Sequence, residues 1–245
     1  MTLEDRQRDF AKRLAKSRYY SNTSDRYSTP LHHLFEMAAR FEIPKAEPLR
    51  PGFRSPIASE AITVVGAPLA GGGKVSVLPA EKWQRLHLSK TRLLAATAPV
   101  LRQIVACVEA RLMALPKLSD AVVVLNSVEH GLLHPGEKEM LWRTFGVPVY
   151  SQWLGLEGET LAWECEAHQG LHWNRQAMEL EYEGGQFLVT SLLAKRRVTR
   201  RLETGWNGEI DSRPCACGET APRIRYLRNL SVAPDLEALH MAACA

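Results

Sequence analysis

The chain has 245 residues, of which 45% are hydrophobic and 24% charged, and its formal net charge is +4 at pH 7. This composition is typical of a globular protein and argues against a chain that stays disordered. The longest apolar stretches are short and contain Arg, Glu or Pro, so the sequence predicts neither a signal peptide nor a transmembrane span. We therefore expect a cytoplasmic protein without a membrane partner.

The first part of the chain is predicted to be helical and then irregular. Phe10 and Leu14 lie four positions apart among the charged residues of segment 1–20, which indicates a short amphipathic helix. Prolines recur through residues 43–59, and each of them fixes φ and removes a backbone donor. We expect that segment to be irregular.

An amphipathic helix with one buried face is predicted within residues 81–115, and Pro116 ends it. Its apolar residues recur at intervals of three and four: Leu101, Ile104, Val105, Val108 and Leu112.

A strand–helix–strand unit follows. The run AVVVLNS at 121–127 is typical of a strand buried on both faces, residues 135–142 form a helix with Pro at its start, and GVPVY at 146–150 is the second strand. Beyond residue 160, the alternation in LAWECEA, MELEY and QFLVTSLL predicts antiparallel strands, with a hairpin turn around Glu183-Gly184-Gly185.

The predicted fold class is therefore α/β, with the strand–helix–strand unit followed by a mostly antiparallel sheet. Residues 1–80 are expected to pack as a helical and irregular segment on a core formed by residues 81–245.

Two short segments concentrate possible metal ligands, ECEAHQGLHW at 164–173 and RPCACGE at 213–219. Cytosolic thiols stay reduced, so clustered cysteines favour a metal over a disulfide. Cys165, Cys215 and Cys217 supply three thiols, and three thiolates with one imidazole form a common structural zinc site. Gly218 offers the backbone freedom that a Cys-x-Cys pair needs to aim both sulfurs at one ion.

The fourth ligand is either His168 or His172. His168 has a knuckle-like spacing from Cys165, whereas His172 lies beyond a turn-prone segment that would bring it back toward Cys165. The alternative is that the three thiols are unrelated. Of the other two cysteines, Cys107 is predicted to be a buried apolar residue, and Cys244 has no predicted role.

Five segments carry a family resemblance. In chain order they are GVPVYSQW, GETLAWECEAHQGLH, FLVTSLL, TGW and PCACG. Over about residues 120–226 the chain resembles the later half of the adenylate-forming domain of phenylacetate-coenzyme A ligase-like proteins, the branch with capsule-related and coenzyme F390 synthetase-like members. Some members hold a structural zinc with one Cys, one His seven positions later and a Cys-x-Cys pair. The resemblance implies the ligands Cys165, His172, Cys215 and Cys217.

Such ligases activate a carboxylic acid with ATP and pass the acyl group to coenzyme A, and this chain departs from their nucleotide motifs. Segment 66–74, GAPLAGGGK, lacks the Ser and Thr of the family's phosphate loop and is predicted to be a tight turn before a strand. Arg201, Thr204 and Gly205 match a motif that ends in a ribose-binding aspartate, but Trp206 stands at that position. An indole donates one hydrogen bond and accepts none, so it cannot replace the carboxylate.

Two further departures concern magnesium and the catalytic lysine. The family's adenine-side motif is matched only loosely by residues 153–159; Glu157 or Glu159 there are candidate magnesium ligands, although exposed carboxylates on a loop are commoner. The family's C-terminal domain, which carries the catalytic lysine, is expected to be missing because the sequence ends at Ala245.

The sequence therefore predicts a zinc-stabilised, shortened adenylate-forming-like protein, a possible pseudoenzyme that binds a small molecule or a protein partner, and no binding of ATP or AMP. The first alternative is an ATP-dependent carboxylate-coenzyme A ligase with unusual residues. The second is a nucleic-acid-binding zinc protein, indicated by the basic residues of 195–197 with Arg200 and Arg201. We rank nucleic acid last because no aromatic residues are interleaved with these charges.

Overall fold

A computed structural model describes residues 53–67, 73–88, 90–114, 117–133, 135–175, 177–192, 200–219 and 221–229. The predicted N-terminal helix, the stop at Pro116, the basic run 195–197 and Cys244 lie outside these ranges. Within them, no helix is both long and apolar enough to cross a membrane.

The regular elements alternate between strands and helices in the first half of the described chain. They are β1 (Ile62–Val65), β2 (Val75–Leu78), a 3-10 segment (Ala80–Leu88), β3 (Leu93–Thr97), α1 (Ala98–Glu109), β4 (Ala121–Asn126), α2 (Pro135–Phe145) and β5 (Val149–Leu154). Strands alone follow, namely β6 (Thr160–Glu164), β7 (Leu171–Trp173), β8 (Met178–Glu183), β9 (Gln186–Ser191), β10 (Leu202–Glu203), β11 (Trp206–Asp211) and β12 (Arg223–Asn229).

Nine of these strands form one mixed sheet in the order β11-β12-β7-β6-β5-β4-β3-β1-β2. The pairs from β2 to β5 are parallel, and those from β5 to β11 are antiparallel. A second, antiparallel sheet has the order β10-β9-β8. The predicted strand–helix–strand unit is confirmed as β4, α2 and β5, and so is the antiparallel character of the chain after residue 160.

The core lies on both faces of the large sheet. One face of the parallel strands packs against α1 and α2, and the other face packs against Phe53 and Ile57. Between the antiparallel strands and the small sheet lies a third cluster, which includes Trp153, Phe187 and Trp206. Every residue of β4 is buried, as its run of β-branched residues predicted.

The hairpin between β8 and β9 follows from its two glycines. Glu183 pairs with Gln186 across the turn, and Gly184 and Gly185 have φ values of +59° and +82°. Two consecutive positive φ angles are those of the two-residue turn whose twist matches the flanking strands, and glycine adopts them without steric cost. The predicted hairpin turn is confirmed.

The helix predicted over residues 81–115 is shorter than expected. Its first part contains the 3-10 segment and the strand β3, because a short buried apolar run such as LLAAT has the same pattern in a strand and in a buried helix. At its end, Arg111 has a φ of +57°, and the Leu112 amide donates to the Cys107 carbonyl at 2.8 Å. This left-handed cap ends the helix at Glu109 and leaves Leu112 66% exposed.

The large sheet begins before residue 81. Both β1 and β2 belong to it. The sheet therefore contains strands from the expected N-terminal segment 1–80 as well as from the expected core 81–245. The part of segment 43–59 that the structure describes, from residue 53 onward, contains neither helix nor strand. Cys107 is buried in α1, as predicted.

Two substitutions near α1 test this packing. Ile104→Ala removes a fully buried side chain and is expected to lower the free energy of unfolding by about 2–5 kcal/mol. Leu112→Ala changes an exposed residue and is expected to stay within about 0.5 kcal/mol of the wild type. Denaturant unfolding measures both values, and equal losses would contradict the position of the helix end.

Candidate metal centre

Three neighbouring elements bring four potential metal ligands together. Cys165 directly follows β6, His172 lies in β7, and Cys215 and Cys217 lie in the loop between β11 and β12. β7 pairs with β6 on one side and with β12 on the other. The sheet therefore places the three sequence segments side by side, although about fifty residues separate the first cysteine from the last two.

The ligand atoms of these four residues, called here the cysteine–histidine cluster, all lie within 4.8 Å of one another. The sulfurs of Cys165 and Cys215 are 3.7 Å apart, and the Cys217 sulfur is 3.5 Å from Nε2 of His172. A tetrahedral ion with sulfur ligands at about 2.3 Å and nitrogen at about 2.0–2.1 Å has ligand separations of about 3.8 and 3.6 Å. The two observed distances fit that geometry.

Local backbone turns aim the ligands at one point. The Gly218 amide donates to the Cys215 carbonyl at 3.0 Å, and Gly218 has a φ of +88°, as the Cys-x-Cys-Gly pattern predicted. Gly170, between Cys165 and His172, has a φ of +115°, and a Cβ there would lie 2.6 Å from the Ile224 carbonyl oxygen. Only glycine lets this turn approach β12 so closely.

Burial sets the protonation of the cluster. His172 is 1% exposed, and burial lowers its pKa, so the imidazole stays neutral, the form that binds metals. Burial raises the pKa of the Cys165 thiol to about 12. Burial also acts to raise the pKa of Cys215, but hydrogen bonds from Cys217 outweigh it and lower that pKa. An ion bound here would displace the thiol protons.

The two candidate histidines have different surroundings. Nδ1 of His172 is buried and has no hydrogen-bond partner among the described residues, while its Nε2 points at the Cys217 sulfur. His168 lies outside the cluster, because its Nδ1 is 2.9 Å from the Glu164 carboxylate and its ring stacks on Tyr150 at 4.6 Å. The structure thus brings His172, and not His168, to the three thiols.

Residues proposed from the sequence for nucleotide and magnesium binding make contacts within the fold. Arg201 forms ion pairs with Glu181 and Glu183 on β8. The Thr204 hydroxyl donates to the Phe187 carbonyl at 2.8 Å, and the Gly205 amide donates to the Gln186 side chain at 2.9 Å. All three residues hold the segment before β11 against the small sheet.

The loop between β5 and β6 carries the two candidate magnesium ligands, and the Glu159 side chain is held within the fold. Glu159 is buried, and its carboxylate accepts hydrogen bonds from the Ser191 hydroxyl at 2.9 Å and the Glu157 amide at 3.0 Å. A Cβ on Gly155 would lie 2.1 Å from a Glu159 oxygen, so the glycine leaves the space that the Glu159 carboxylate occupies. Burial raises the pKa of Glu159, which opposes a role as a charged magnesium ligand.

The glycine-rich loop before β2 is described only at its two ends. β2 begins at Val75, as the alternation in VSVLP predicted. Lys74, the last residue of the loop, forms an exposed ion pair with Glu60 at 2.7 Å.

Sequence reasoning missed a polar group beside the cluster. The buried Glu164 carboxylate accepts hydrogen bonds from the ammonium group of Lys138 on α2, at 2.7 and 2.8 Å, and from the Ser151 backbone amide at 2.8 Å. Glu164 is the first residue of the cysteine-bearing segment, but nothing in the sequence links it to Lys138, which lies 26 positions earlier.

Comparisons with known proteins give a likeness in fold. No family model matches the sequence, and no curated protein matches it. The chain is similar to the open conformation of 2-hydroxyisobutyryl-CoA ligase in complex with 2-HIB-AMP and CoA, with a TM-score of 0.51 and 16% identity over 69% of this chain and 44% of that one. The same ligase in the thioesterification state gives 0.52 and 14%, over 71% and 44%.

The chain spans less than half the length of these structures. Both are structures of one acyl-CoA ligase, and for the matched part the likeness supports the fold that the sequence resemblance implies. At this identity the likeness concerns the fold alone, and the phenylacetate-coenzyme A ligase-like branch stays a prediction.

The choice between the two histidines is tested by paired substitutions. His172→Ala is expected to reduce bound metal strongly and to lower the melting temperature, because it removes a ligand atom from the cluster. His168→Ala is expected to leave the metal content unchanged, because that ring faces Glu164. Metal analysis and thermal unfolding of both variants measure this, and the reverse ranking would assign the ligand to His168.

Proposed function

We propose that this chain is a zinc-stabilised protein with part of the adenylate-forming fold, that it does not activate carboxylic acids with ATP, and that it binds a small molecule or a protein partner. The observation that carries the proposal is the position of Trp206. In the resembled motif this position holds a carboxylate that binds the ribose of the nucleotide. Here it holds an indole that is 2% exposed and belongs to the core.

The Trp206 side chain is part of the packing between the two sheets. Its ring lies 4.6 Å from the ring of Trp153, and its backbone amide donates to the Thr204 hydroxyl at 3.0 Å. A ring of this size contributes to the core mainly through the apolar area that it buries. A residue committed to the core in this way offers no hydrogen-bond acceptor to a ribose.

The contacts of the neighbouring motif residues support the same conclusion. Arg201, Thr204 and Gly205 hold the segment before β11 to the small sheet. Glu159 is folded into its own loop. Nucleotide binding through these groups would require breaking contacts that position β11, and each buried polar group left without a partner costs about 1–3 kcal/mol.

Zinc is the ion proposed for the cysteine–histidine cluster. Three thiolates and one imidazole are soft and borderline ligands, and a tetrahedral set of this composition favours zinc over the oxygen-seeking ions magnesium and calcium. The bound ion would connect β6, β7 and the loop between β11 and β12. Its role would be structural, because all four positions are filled by protein ligands.

An ATP-dependent acid-CoA ligase is the second candidate, and the likeness to solved acyl-CoA ligases favours it. A ligase of this kind would need residues other than Glu159, Arg201, Thr204 and Gly205 to bind the nucleotide. For nucleic-acid binding, the described basic residues give little support: Arg200 is buried, and Arg201 pairs with two glutamates.

Metal analysis tests the zinc proposal. Protein prepared without chelators is expected to contain close to one zinc per chain, and a strong chelator should lower its melting temperature, since structural zinc contributes on the order of 10 kcal/mol or more. Acidification should release the ion as protons compete for the thiolates and the imidazole.

Cys217→Ser should lose zinc, whereas the control Cys107→Ser, in α1, should keep it. Zinc well below one per chain in the wild type contradicts the proposal.

Calorimetry and pyrophosphate exchange test the absence of ligase chemistry. The wild type is expected to show no binding of ATP or AMP at sub-millimolar concentration and no acid-dependent exchange of labelled pyrophosphate into ATP, because no carboxylate stands at position 206. Trp206→Asp should not restore activity and should destabilise the fold, since it places a charge in the core. Tight ATP binding, or adenylate formation from any carboxylic acid, would favour the ligase.

A further inference from the structure

A buried arginine lies beside the cysteine–histidine cluster. Arg223 is the first residue of β12 and follows the loop that contains Cys215 and Cys217. It is also the register partner of His172 on β7. Its side chain is 4% exposed, and a guanidinium group is seldom buried to this extent unless partners match its charge and its donors. The partners of Arg223 must therefore lie close to the metal ligands.

Two short hydrogen bonds connect Arg223 to both ligand-bearing segments. Its Nη1 donates to the side-chain oxygen of Gln169 at 2.8 Å, and its Nη2 donates to the backbone carbonyl of Arg213 at 3.0 Å. Gln169 lies in the turn between Cys165 and His172, while Arg213 lies in the loop that carries the other two ligands. The planar guanidinium group thus spans the two segments with donors in a fixed geometry, which an ammonium group lacks.

The Gln169 side chain extends this connection to the Cys-x-Cys pair. Its oxygen also accepts a hydrogen bond from the Ala216 amide at 3.4 Å, and the Cys215 sulfur lies 3.8 Å from it. Ala216 stands between Cys215 and Cys217, and Gln169 stands in the middle of the other segment. One side-chain oxygen, held by Arg223, therefore fixes one ligand segment relative to the other.

The ion pair with Asp211 does not account for the burial of Arg223. Nη2 is 3.2 Å from the Asp211 carboxylate, but that carboxylate also pairs with Arg213 at 2.9 Å and with Arg225 at 3.1 Å. Asp211 is thus neutralised without Arg223. A cross-strand ion pair explains one of the three partners of this guanidinium group, and the two shorter bonds go to the ligand-bearing segments.

The charge of the proposed centre gives the guanidinium group a second effect. Three thiolates and a neutral imidazole around a zinc ion leave one negative charge in excess. A cation buried nearby offsets that charge, and buried charges are tolerated where they are paired.

We propose that Arg223 is a positioning residue for the metal centre. It acts through Gln169 and holds the Cys-x-Cys loop and the turn from Cys165 to His172 in the arrangement that binds the ion. Neither Arg223 nor Gln169 is itself a ligand. Ligands that are already in place bind an ion more tightly, because less freedom is lost on binding. This inference deepens the proposed zinc site and rests on it.

Zinc affinity, measured by competition with a chelator of known affinity, tests the proposal. Gln169→Met keeps the length of the side chain but removes its oxygen, and is expected to weaken zinc binding about tenfold. Arg223→Met is expected to weaken it by about 10- to 100-fold. The matched control is Arg213→Met, which removes a 76% exposed guanidinium group from Asp211 but keeps the backbone carbonyl. It should stay within about twofold of the wild type.

A double variant separates positioning from a general loss of stability. If Arg223 acts through Gln169, the variant with both substitutions to Met should lose clearly less zinc affinity than the product of the two single losses. Arg223→Lys keeps the charge but not the fork, and should bind zinc more weakly than the wild type. Cobalt(II) bound in place of zinc should give the same absorption spectrum in Gln169→Met as in the wild type, because the four ligands are unchanged.

The outcomes distinguish this inference from the zinc proposal. Wild-type zinc affinity in Gln169→Met or in Arg223→Lys, multiplicative losses in the double variant, or a changed cobalt spectrum would overturn the role of Arg223 and leave the zinc site in place. A wild-type chain that binds no zinc would overturn both. Gln169 is exposed, so its variant decides the question even where Arg223→Met does not fold.

Discussion

The arrangement of the molecule depends on the pairing of β5, which is parallel to β4 on one side and antiparallel to β6 on the other. A strand between neighbours of both kinds joins the helix-covered half of the sheet to the half formed by strands alone. A side chain of β6 strengthens the connection between the two halves. The Glu164 carboxylate accepts hydrogen bonds from the Ser151 backbone amide of β5 and from the ammonium group of Lys138 on α2. One buried carboxylate thus ties both halves together.

Two adjacent residues at the end of β6, Glu164 and Cys165, have different roles. Glu164 holds β6 to β5 and α2, while Cys165 contributes to the cluster with β7 and the loop before β12. β7 has three residues, and a strand this short gains little from its own ladder hydrogen bonds. A metal ion that joins it to two neighbouring segments would supply stability that the strand pairing does not.

The segment around Trp206 is held at the junction of the two sheets by packing and by hydrogen bonds. Trp206 packs on Trp153 in the third core cluster, and Thr204 and Gly205 bond to the backbone and side chain of the small sheet. Each of these interactions stabilises the junction of the two sheets. A side chain packed in a core is under different constraints from one that must stay accessible to a ligand, and a likeness in fold does not by itself carry a function over.

Local patterns in the sequence determined the elements whose signals are local: the buried strand β4, the helix with Pro135 at its start, the Gly184-Gly185 hairpin and the cysteine-rich segments. The same patterns failed at β3, where a short apolar run is ambiguous between strand and helix. They also failed at Leu112, where a left-handed cap at Arg111 ends α1 early. Residue spacing left His168 and His172 open and the family resemblance favoured His172; the tertiary structure decided the choice physically, because the pairing of β7 with β6 and β12 brings His172 to the thiols. It also decided that Lys138 reaches Glu164 and that Trp206 is buried, since contacts between residues far apart in the chain follow from sheet order and packing, which no local pattern encodes.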